Sequence, residues 1–353
     1  MYGPDCWKLG SEASEVVSRG ERKLMRSLVT GAAGFVGSTL VDRLLDDGHQ
    51  VIGIDNFRTG LVANLQDAIQ YNDVHPGRFT LIHVDIQAPE LTGIVAGANP
   101  DIIFHLAGQG DPQASISDPQ FDARNNVLGT INLCEASRLA GVRRIVYPTC
   151  GEARSGAGSS ASERAEAATP NAVAKLAGEM YLAAYAGLYD LSPVCLALGH
   201  VYGPRQNPRG SGNVVATLAS ALITGLPYSV HRDNVQGRDY VYVDDVVDAF
   251  VYAGCAPIET KGTFRVGTGR YTTVTELRGL IAAALDSTPP PPVSALPDDQ
   301  LQASWSIAAT DQSRFEWQPA TALHEGIERT VRWLCGILEP AAVQVSQNVA
   351  LAG

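Results

Sequence analysis

Three glycines at spacings of three, Gly31, Gly34 and Gly37, carry the first chemistry that can be read in the chain. They follow the apolar pair Leu28-Val29 and Thr30, and a helical pattern runs on from Phe35 to Leu45. Strand, tight turn and helix in that order make a phosphate cradle. Gly31 permits the turn, Gly34 lets backbone approach a pyrophosphate, and Gly37 lets the helix pack close to the strand. The helix N-terminus, with Phe35 and Val36 in its first turn, offers N–H groups and a positive dipole end to the anion. The next strand pattern, Gln50 to Ile54, ends at Asp55, eighteen residues beyond Gly37. A carboxylate there accepts hydrogen bonds from ribose hydroxyls and repels a 2′-phosphate, so the expected cofactor is NAD. The bland alternative is a glycine-rich turn with a surface Asp, and it does not call for the strand–helix context present here.

The elements that must position this cradle alternate along the chain. Apolar runs at 27–30, 50–54, 79–84, 101–106, 143–148 and 193–198 read as strands, and helical patterns lie between them, notably at 35–47, 121–140 and 172–188. Such alternation predicts an α/β fold, a Rossmann-type doubly wound parallel sheet with helices on both faces. After residue 198 come a long loop, a helix near 213–224, a short strand running into a helix from Arg238, and a short strand at 262–267, which suggest a smaller C-terminal lobe over the sheet edge. The expected division is a tail at 1–24, an NAD-binding domain at 25–198, a mainly substrate-binding lobe at 199–337 with segments returning to the first domain, and a tail at 338–353.

The composition is that of a globular protein, with 45% hydrophobic residues in 353 and a net charge of −11. That charge argues against non-specific nucleic-acid binding. No apolar run reaches membrane-spanning length, and the N-terminus carries no secretory apolar region, so no membrane partner is expected. The cysteines at 6, 134, 150, 195, 255 and 335 have no metal-like pairing. They read as reduced thiols of a cytoplasmic protein without a metal site.

These residues resemble the extended short-chain dehydrogenase/reductase family, the NAD-dependent sugar-nucleotide epimerases and dehydratases, and especially its UDP-glucose 4-epimerase-like members. Thr30-Gly31-Ala32-Ala33-Gly34-Phe35-Val36-Gly37 matches TGxxGxxG, and Asp55-Asn56-Phe57-Arg58-Thr59-Gly60 is similar to DNxxxG. Asp85-Ile86 matches the adenine-side pair, and Phe104-His105-Leu106-Ala107, followed by Gly108, matches the fourth-strand HLA motif. Asn126-Val127-Leu128-Gly129-Thr130 matches NVxGT, Val201-Tyr202-Gly203-Pro204-Arg205 matches VYGPR, and Arg238-Asp239-Tyr240-Val241-Tyr242-Val243-Asp244-Asp245 matches RDYVxVDD. The resemblance covers residues 25 to about 333. It implies that Gly31, Gly34, Phe35, Val36, Asp55, Asn56, Thr59, Gly60, Asp85, Ile86, Leu106, Ala107, Gly108, Asn126 and Lys175 bind NAD. It further implies transient oxidation of a sugar hydroxyl to a ketone, followed by epimerisation, elimination or decarboxylation. It also implies a homodimer paired through the helices at 121–140 and 172–188.

The catalytic positions depart from the family pattern. Its Tyr-x-x-x-Lys puts both side chains on one helix face, and Lys175 matches while Asn171 stands where the Tyr belongs. An amide donates and accepts hydrogen bonds but is no general base near neutral pH. The family's Ser/Thr after the fifth strand aligns with Cys150, with Thr149 before it and Glu152 on the acidic position of the dehydratases and decarboxylases. Three readings stand open: an enzyme rerouted through Cys150 or Glu152, an NAD-binding pseudoenzyme, or a variant altered to trap substrate. Each of these residues also has an ordinary reading, as a buried thiol or a surface carboxylate.

On the substrate side the resemblance assigns Arg238 to a diphosphate, Asn213 and Val214 to the nucleotide, and His231 to its base. His200 replaces an Asn and is expected to contact a phosphate, to supply an acid/base group, or to be a structural histidine. The second phosphate Arg of the family falls at Leu296, so Arg205, Arg209 or Arg232 is the candidate replacement. The partner expected is a nucleotide sugar, a UDP-sugar first, with a non-nucleotide substrate as the alternative.

Overall fold

The computed structural model describes residues 24–150, 169–209, 213–226, 237–287 and 315–351, excepting the side chains of Cys150 and of the residues beyond 338. The chain runs β1 (Arg26–Thr30), α1 (Phe35–Asp46), β2 (Gln50–Asp55), α2 (Gln66–Val74), β3 (Phe79–His83), α3 (Leu91–Ala98), β4 (Ile102–His105), α4 (Pro112–Ser117), α5 (Pro119–Ala123), a π-turn at Arg124–Leu128, α6 (Gly129–Ala140) and β5 (Arg144–Cys150). It continues with α7 (Pro170–Leu188), β6 (Ser192–Leu198), β7 (His200–Tyr202), α8 (Val214–Thr224), β8 (Arg238–Tyr242), α9 (Val243–Cys255), β9 (Gly262–Val266), β10 (Tyr271–Thr272), α10 (Val274–Ala284) and α11 (Leu323–Leu351).

Seven parallel strands pair in the order β3-β2-β1-β4-β5-β6-β9. A parallel sheet covered on both faces needs apolar side chains at nearly every strand position. Successive residues duly go to opposite cores. Val29, Phe104 and Val146 pack on one face with Leu40, Leu44 and Phe250, while Leu28, Ile103 and Ile145 pack on the other with Leu133 and Leu182. The strand order reverses direction between β1 and β4, and ligands bind in such folds at the C-terminal strand ends beside that crevice.

The smaller lobe has its own three-stranded sheet, β10-β8-β7. Its core joins Tyr202, Leu218, Tyr240, Leu277 and Ile327, with Phe35 and Val36 from the start of α1 packed against it. The lobe core therefore sits directly on the glycine turn.

Two expectations need revision. The strand at 262–266 is not a lobe element but the seventh strand of the main sheet, paired with β6 from Val194↔Gly262 to Leu198↔Val266. The single helix expected over 121–140 is two helices joined by a π-turn, in which Gly129 N–H reaches back to Arg124 O. π-bulges of this kind recur at functional sites because they redirect side chains out of the regular helical screw.

Candidate active site

The cradle has the geometry that its glycines require. Gly31 has φ +71°, and a Cβ there would lie 2.7 Å from Ala107 N. A Cβ on Gly37 would lie 2.0 Å from Gly31 O. Helix α1 begins at Gly34 with no capping side chain, so its first-turn N–H groups face outward for an anion. Asp55 is buried at the end of β2, where it accepts from Ala33 N–H at 2.9 Å and Phe57 N–H at 2.7 Å. Its carboxylate thus fastens the glycine turn to the β2 loop, and each oxygen keeps a second lone pair for a ribose hydroxyl. Gly60 fits closely here, since a Cβ would stand 2.9 Å from Asp55 Oδ1. Asn56 donates to Asp85 at 2.7 Å, joining the two loops where adenosine is expected, while Thr59 is exposed beside them. Ile86 is core, lying against Gly129. These residues fit a dinucleotide.

A buried relay connects this cradle to α6. Thr130 Oγ donates to Asn126 O at 2.7 Å, so it must accept from His105 Nε2 at 3.0 Å. His105 Nδ1 then accepts from Thr30 Oγ at 2.8 Å, and that oxygen accepts Ala107 N–H at 3.1 Å. One imidazole thereby locks β1, β4 and α6 together, and the Leu106-Ala107-Gly108 segment is held across the strand ends. Burial, reinforced by the charge of Lys175, lowers the His105 pKa from 6.5 to about 3. Neutral His105 therefore contributes stability that is fully present above pH 6.5 and is lost as pH falls towards 3. Between neutrality and pH 5 the expected loss is about 2 kcal/mol, whatever the folded value below about 4. Nitrogen NMR of the imidazole should find it neutral and Nε2-protonated at pH 5; titration above pH 5.5 would contradict the relay.

Lys175 lies on α7 beside the ring of Tyr147, with Nζ 5.0 Å from its centroid. A Cβ on Gly108 would lie 3.2 Å from Lys175 Nζ and 2.4 Å from Asn126 Oδ1. The loop after β4 thus has room for backbone only, squeezed between the lysine and Asn126. Asn126 accepts Gln109 N–H at 3.0 Å and donates to Gln109 O at 3.0 Å. Asn171, one turn before Lys175, is buried, and its Nδ2 donates to Gln109 O at 2.5 Å and to Asp122 Oδ1 at 3.2 Å. Two acceptors on Nδ2 fix the amide orientation, leaving Oδ1 as the acceptor on the other side. Thr149 is buried on β5 opposite Ala197. Glu152 and the Cys150 side chain lie outside the described residues.

Sequence reasoning missed Asp122. It stands four residues before Asn126, which puts the two on one face of a helix, and Asn126 Nδ2 donates to its Oδ1 at 2.9 Å. That spacing was the available signal. Burial raises its pKa above 3.8, against the hydrogen bond from Asn171, the charge of Lys175 and the hydrogen bond from Asn126.

In the lobe, Arg238 Nη1 donates to His200 Nε2 at 3.2 Å. The imidazole is an acceptor there, and burial followed by the Arg238 charge lowers its pKa to about 3. His200 therefore serves as a neutral brace for Arg238 and not as an acid at neutral pH. Asn213 donates to Asn207 O at 2.6 Å and accepts from Gln206 at 3.2 Å, so it braces the loop before α8, and Val214 packs into the lobe core. Arg205 is committed to Asp42 at 2.6 Å and Asp67 at 2.9 Å, clamping the lobe to α1 and α2. It is a poor replacement for the absent phosphate Arg. His231, Arg232 and Leu296 lie outside the described residues. Among those described, no group of His, Cys, Asp and Glu could hold a metal ion, and no helix is long and apolar enough to cross a membrane.

A parallel sheet with a glycine turn at its switch point, a carboxylate closing its second strand and a lysine helix beside it defines a dinucleotide-dependent enzyme of the Rossmann class. Residues 27–267 match the NAD dependent epimerase/dehydratase family, and the chain belongs to that family. NAD is accordingly its cofactor. The chain is 44% identical over 313 residues to the UDP-glucose 4-epimerase of Mycolicibacterium smegmatis, a match covering 88% of this chain and 98% of that one. Among solved structures it resembles UDP-glucose 4-epimerase from Thermotoga maritima with UDP-glucose, with TM-score 0.77, 31% identity, and coverage of 89% and 100% of the two chains. It also resembles the Thermus thermophilus UDP-glucose 4-epimerase complex with NAD, with TM-score 0.74, 33% identity, and coverage of 89% and 100%.

Proposed function

We propose that this enzyme acts on a nucleotide sugar, a UDP-sugar first, by transient oxidation of a sugar hydroxyl that leads to epimerisation or elimination. The observation that carries this reading is the meeting of the glycine cradle with Lys175 and Asn171 around the Gly108 loop. NAD would be held by the α1 N-terminus, Asp55, Asn56, Asp85 and Lys175, and supplies a hydride acceptor and donor. The chain's own residues do the rest. Asn171 Oδ1 accepts the hydrogen bond of a sugar hydroxyl, and Lys175 contributes positive charge beside it. The relatives named UDP-glucose 4-epimerase support the choice of substrate class.

Arg238 is our candidate for the diphosphate, since a guanidinium suits bidentate phosphate contact and His200 holds it in place. Arg238→Ala is expected to raise KM at least tenfold, about 1.4 kcal/mol of binding, with kcat little changed. Steady-state kinetics on the accepted sugar nucleotide would check it, and an unchanged KM would remove Arg238 from the site.

The exposed apolar residues Val173, Met180, Tyr181 and Leu188 line one face of α7, with Leu128 exposed in the π-turn and Leu139 on α6. Such a stripe supports a homodimer paired through α6 and α7. A monomer mass in light scattering would contradict it. The buried thiols of Cys134 and Cys195 suit the cytoplasm.

The replacement of the family Tyr by Asn171 favours one rival, an NAD-binding protein without turnover. Incubation with NAD and a panel of UDP-, GDP- and dTDP-sugars, followed by NMR and mass spectrometry, separates the two. A new sugar nucleotide is the expected result, and its structure distinguishes epimerase from lyase. No product from any member, with NAD bound, would overturn the enzymatic reading.

A further inference from the structure

A closed circuit of contacts runs through the residues expected at the adenosine half of NAD. Asn56 Nδ2 donates to Asp85 Oδ2 at 2.7 Å, which ties the loop after β2 to the loop after β3. Gln87 N–H donates to Asp85 Oδ1 at 2.8 Å, and Gln87 Nε2 donates to Asn125 Oδ1 at 3.3 Å, which ties the β3 loop to the π-turn. Asn125 Nδ2 donates back to Phe121 O on α5 at 2.8 Å. The Phe121 ring carries the Arg58 guanidinium, whose Cζ stands 3.8 Å from the ring centroid. Arg58 N–H donates to Asn56 Oδ1 at 3.0 Å, and the circuit is complete.

The Arg58–Phe121 seam crosses the switch point of the sheet. Arg58 follows β2 on one side of β1, while Phe121 follows β4 on the other, and the glycine cradle lies at the end of β1 between them. This seam is also the one built to part. The other tertiary seams are hydrogen bonds, whereas here an exposed guanidinium rests on a half-buried ring. The loop backbone beneath it is pinned. Phe57 holds φ +55°, its N–H donates to Asp55, and its ring meets His83 edge-on at 5.1 Å. Opening therefore falls to the Arg58 side chain, and exposed side chains change rotamer within nanoseconds.

We propose that the Arg58–Phe121 stack is a gate on the cofactor site, which parts to let the adenosine of NAD in or out and closes behind it. A gate that flickers much faster than nucleotide moves passes cofactor only while open, so its open fraction multiplies the association and release rates alike. Residence of NAD lengthens while its affinity stays the same. The inference rests on NAD as the cofactor and is independent of the sugar chemistry proposed above.

Stopped-flow binding of NADH to the full-length protein, freed of bound nucleotide, reads both rates: association from the fluorescence change on mixing, release from displacement by excess NAD. Phe121→Leu keeps an apolar side chain without the aromatic face, and Arg58→Gln keeps a polar one without the charge. Each should raise association and release together by about two- to fivefold, the worth of an exposed cation–π contact, and leave Kd unchanged. Phe121→Trp strengthens the stack and should slow both rates. The double variant Arg58→Gln/Phe121→Leu should be no faster than the faster single variant, because either change already removes the one contact. Wild-type rates in both single variants would overturn the proposal. So would faster release with unchanged association, which would make the pair a direct contact to bound NAD. Effects that multiply in the double variant would overturn it as well, since they would come from two separate contacts.

Discussion

Lys175→Met is expected to lower kcat by about 10²- to 10⁴-fold while the protein stays folded. The side chain stands where three parts of the site converge: the Gly108 loop, the Tyr147 ring and the charge field of Asp122. Methionine keeps most of the aliphatic stem and removes the ammonium. Two consequences should follow. Asp122 loses the positive charge that favours its ionised form, so its pKa should rise further. The proposed contact of Lys175 with the cofactor's ribose is also removed, so NAD affinity should weaken by less than tenfold. Rapid-quench single-turnover kinetics, run with NAD in excess, separates these effects, because excess cofactor restores occupancy but not chemistry. Full activity in Lys175→Met would mean that the family lysine is a packing residue in this chain.

Gly37→Ala should abolish NAD binding and lower the melting temperature by about 10 °C. A methyl group there would lie 2.0 Å from Gly31 O and 2.9 Å from Gly31 C, both of them backbone atoms of the turn that receives the pyrophosphate. A flexible neighbour can swing away, but a turn fixed by Gly31 N–H to Ile54 O at 2.8 Å and by Asp55 to Ala33 N–H cannot. The overlap costs about 3 kcal/mol or more by comparison with other overpacked sites, and about 3 °C is lost per kcal/mol in a domain of this size. Gly93→Ala provides the control. It lies in α3 with nothing within 4 Å of its added Cβ, so helix propensity alone should act and stabilise by about 0.5–1 kcal/mol. Calorimetry on both variants, with and without NAD, gives the comparison. Equal behaviour of the two would show that close packing at the turn is not what Gly37 provides.

Several features could be read directly from the sequence because backbone geometry dictates them. Only glycine fits at Gly31 and Gly37, and Asp55 falls at the end of a strand whose apolar run is unmistakable. Lys175 was equally clear, since an i, i+4 motif survives the change at Asn171. Other features depend on partners distant in the chain. Strand β9 is only five residues long, and nothing within Gly262–Val266 says that it pairs with β6 instead of staying in the lobe. Asp122 and Asn171 are 49 residues apart, and no local pattern pairs them. His200 carried two chemical readings and a structural one. The choice came from burial and from Arg238, neither of which is visible in the local pattern.

The most direct test of the central claim follows the hydrogen on the oxidised carbon. Turnover of a UDP-sugar in D₂O, with NMR of the product, shows whether that hydrogen leaves for water. An inverted product with no deuterium at the inverted carbon is expected, because a hydride handed to NAD and returned never exchanges with solvent. Deuterium at a neighbouring carbon would identify the elimination branch of the same chemistry. Deuterium at the inverted carbon itself would mean that this carbon was deprotonated and not itself oxidised, and would contradict inversion by direct hydride removal and return at the glycine cradle, Lys175 and Asn171.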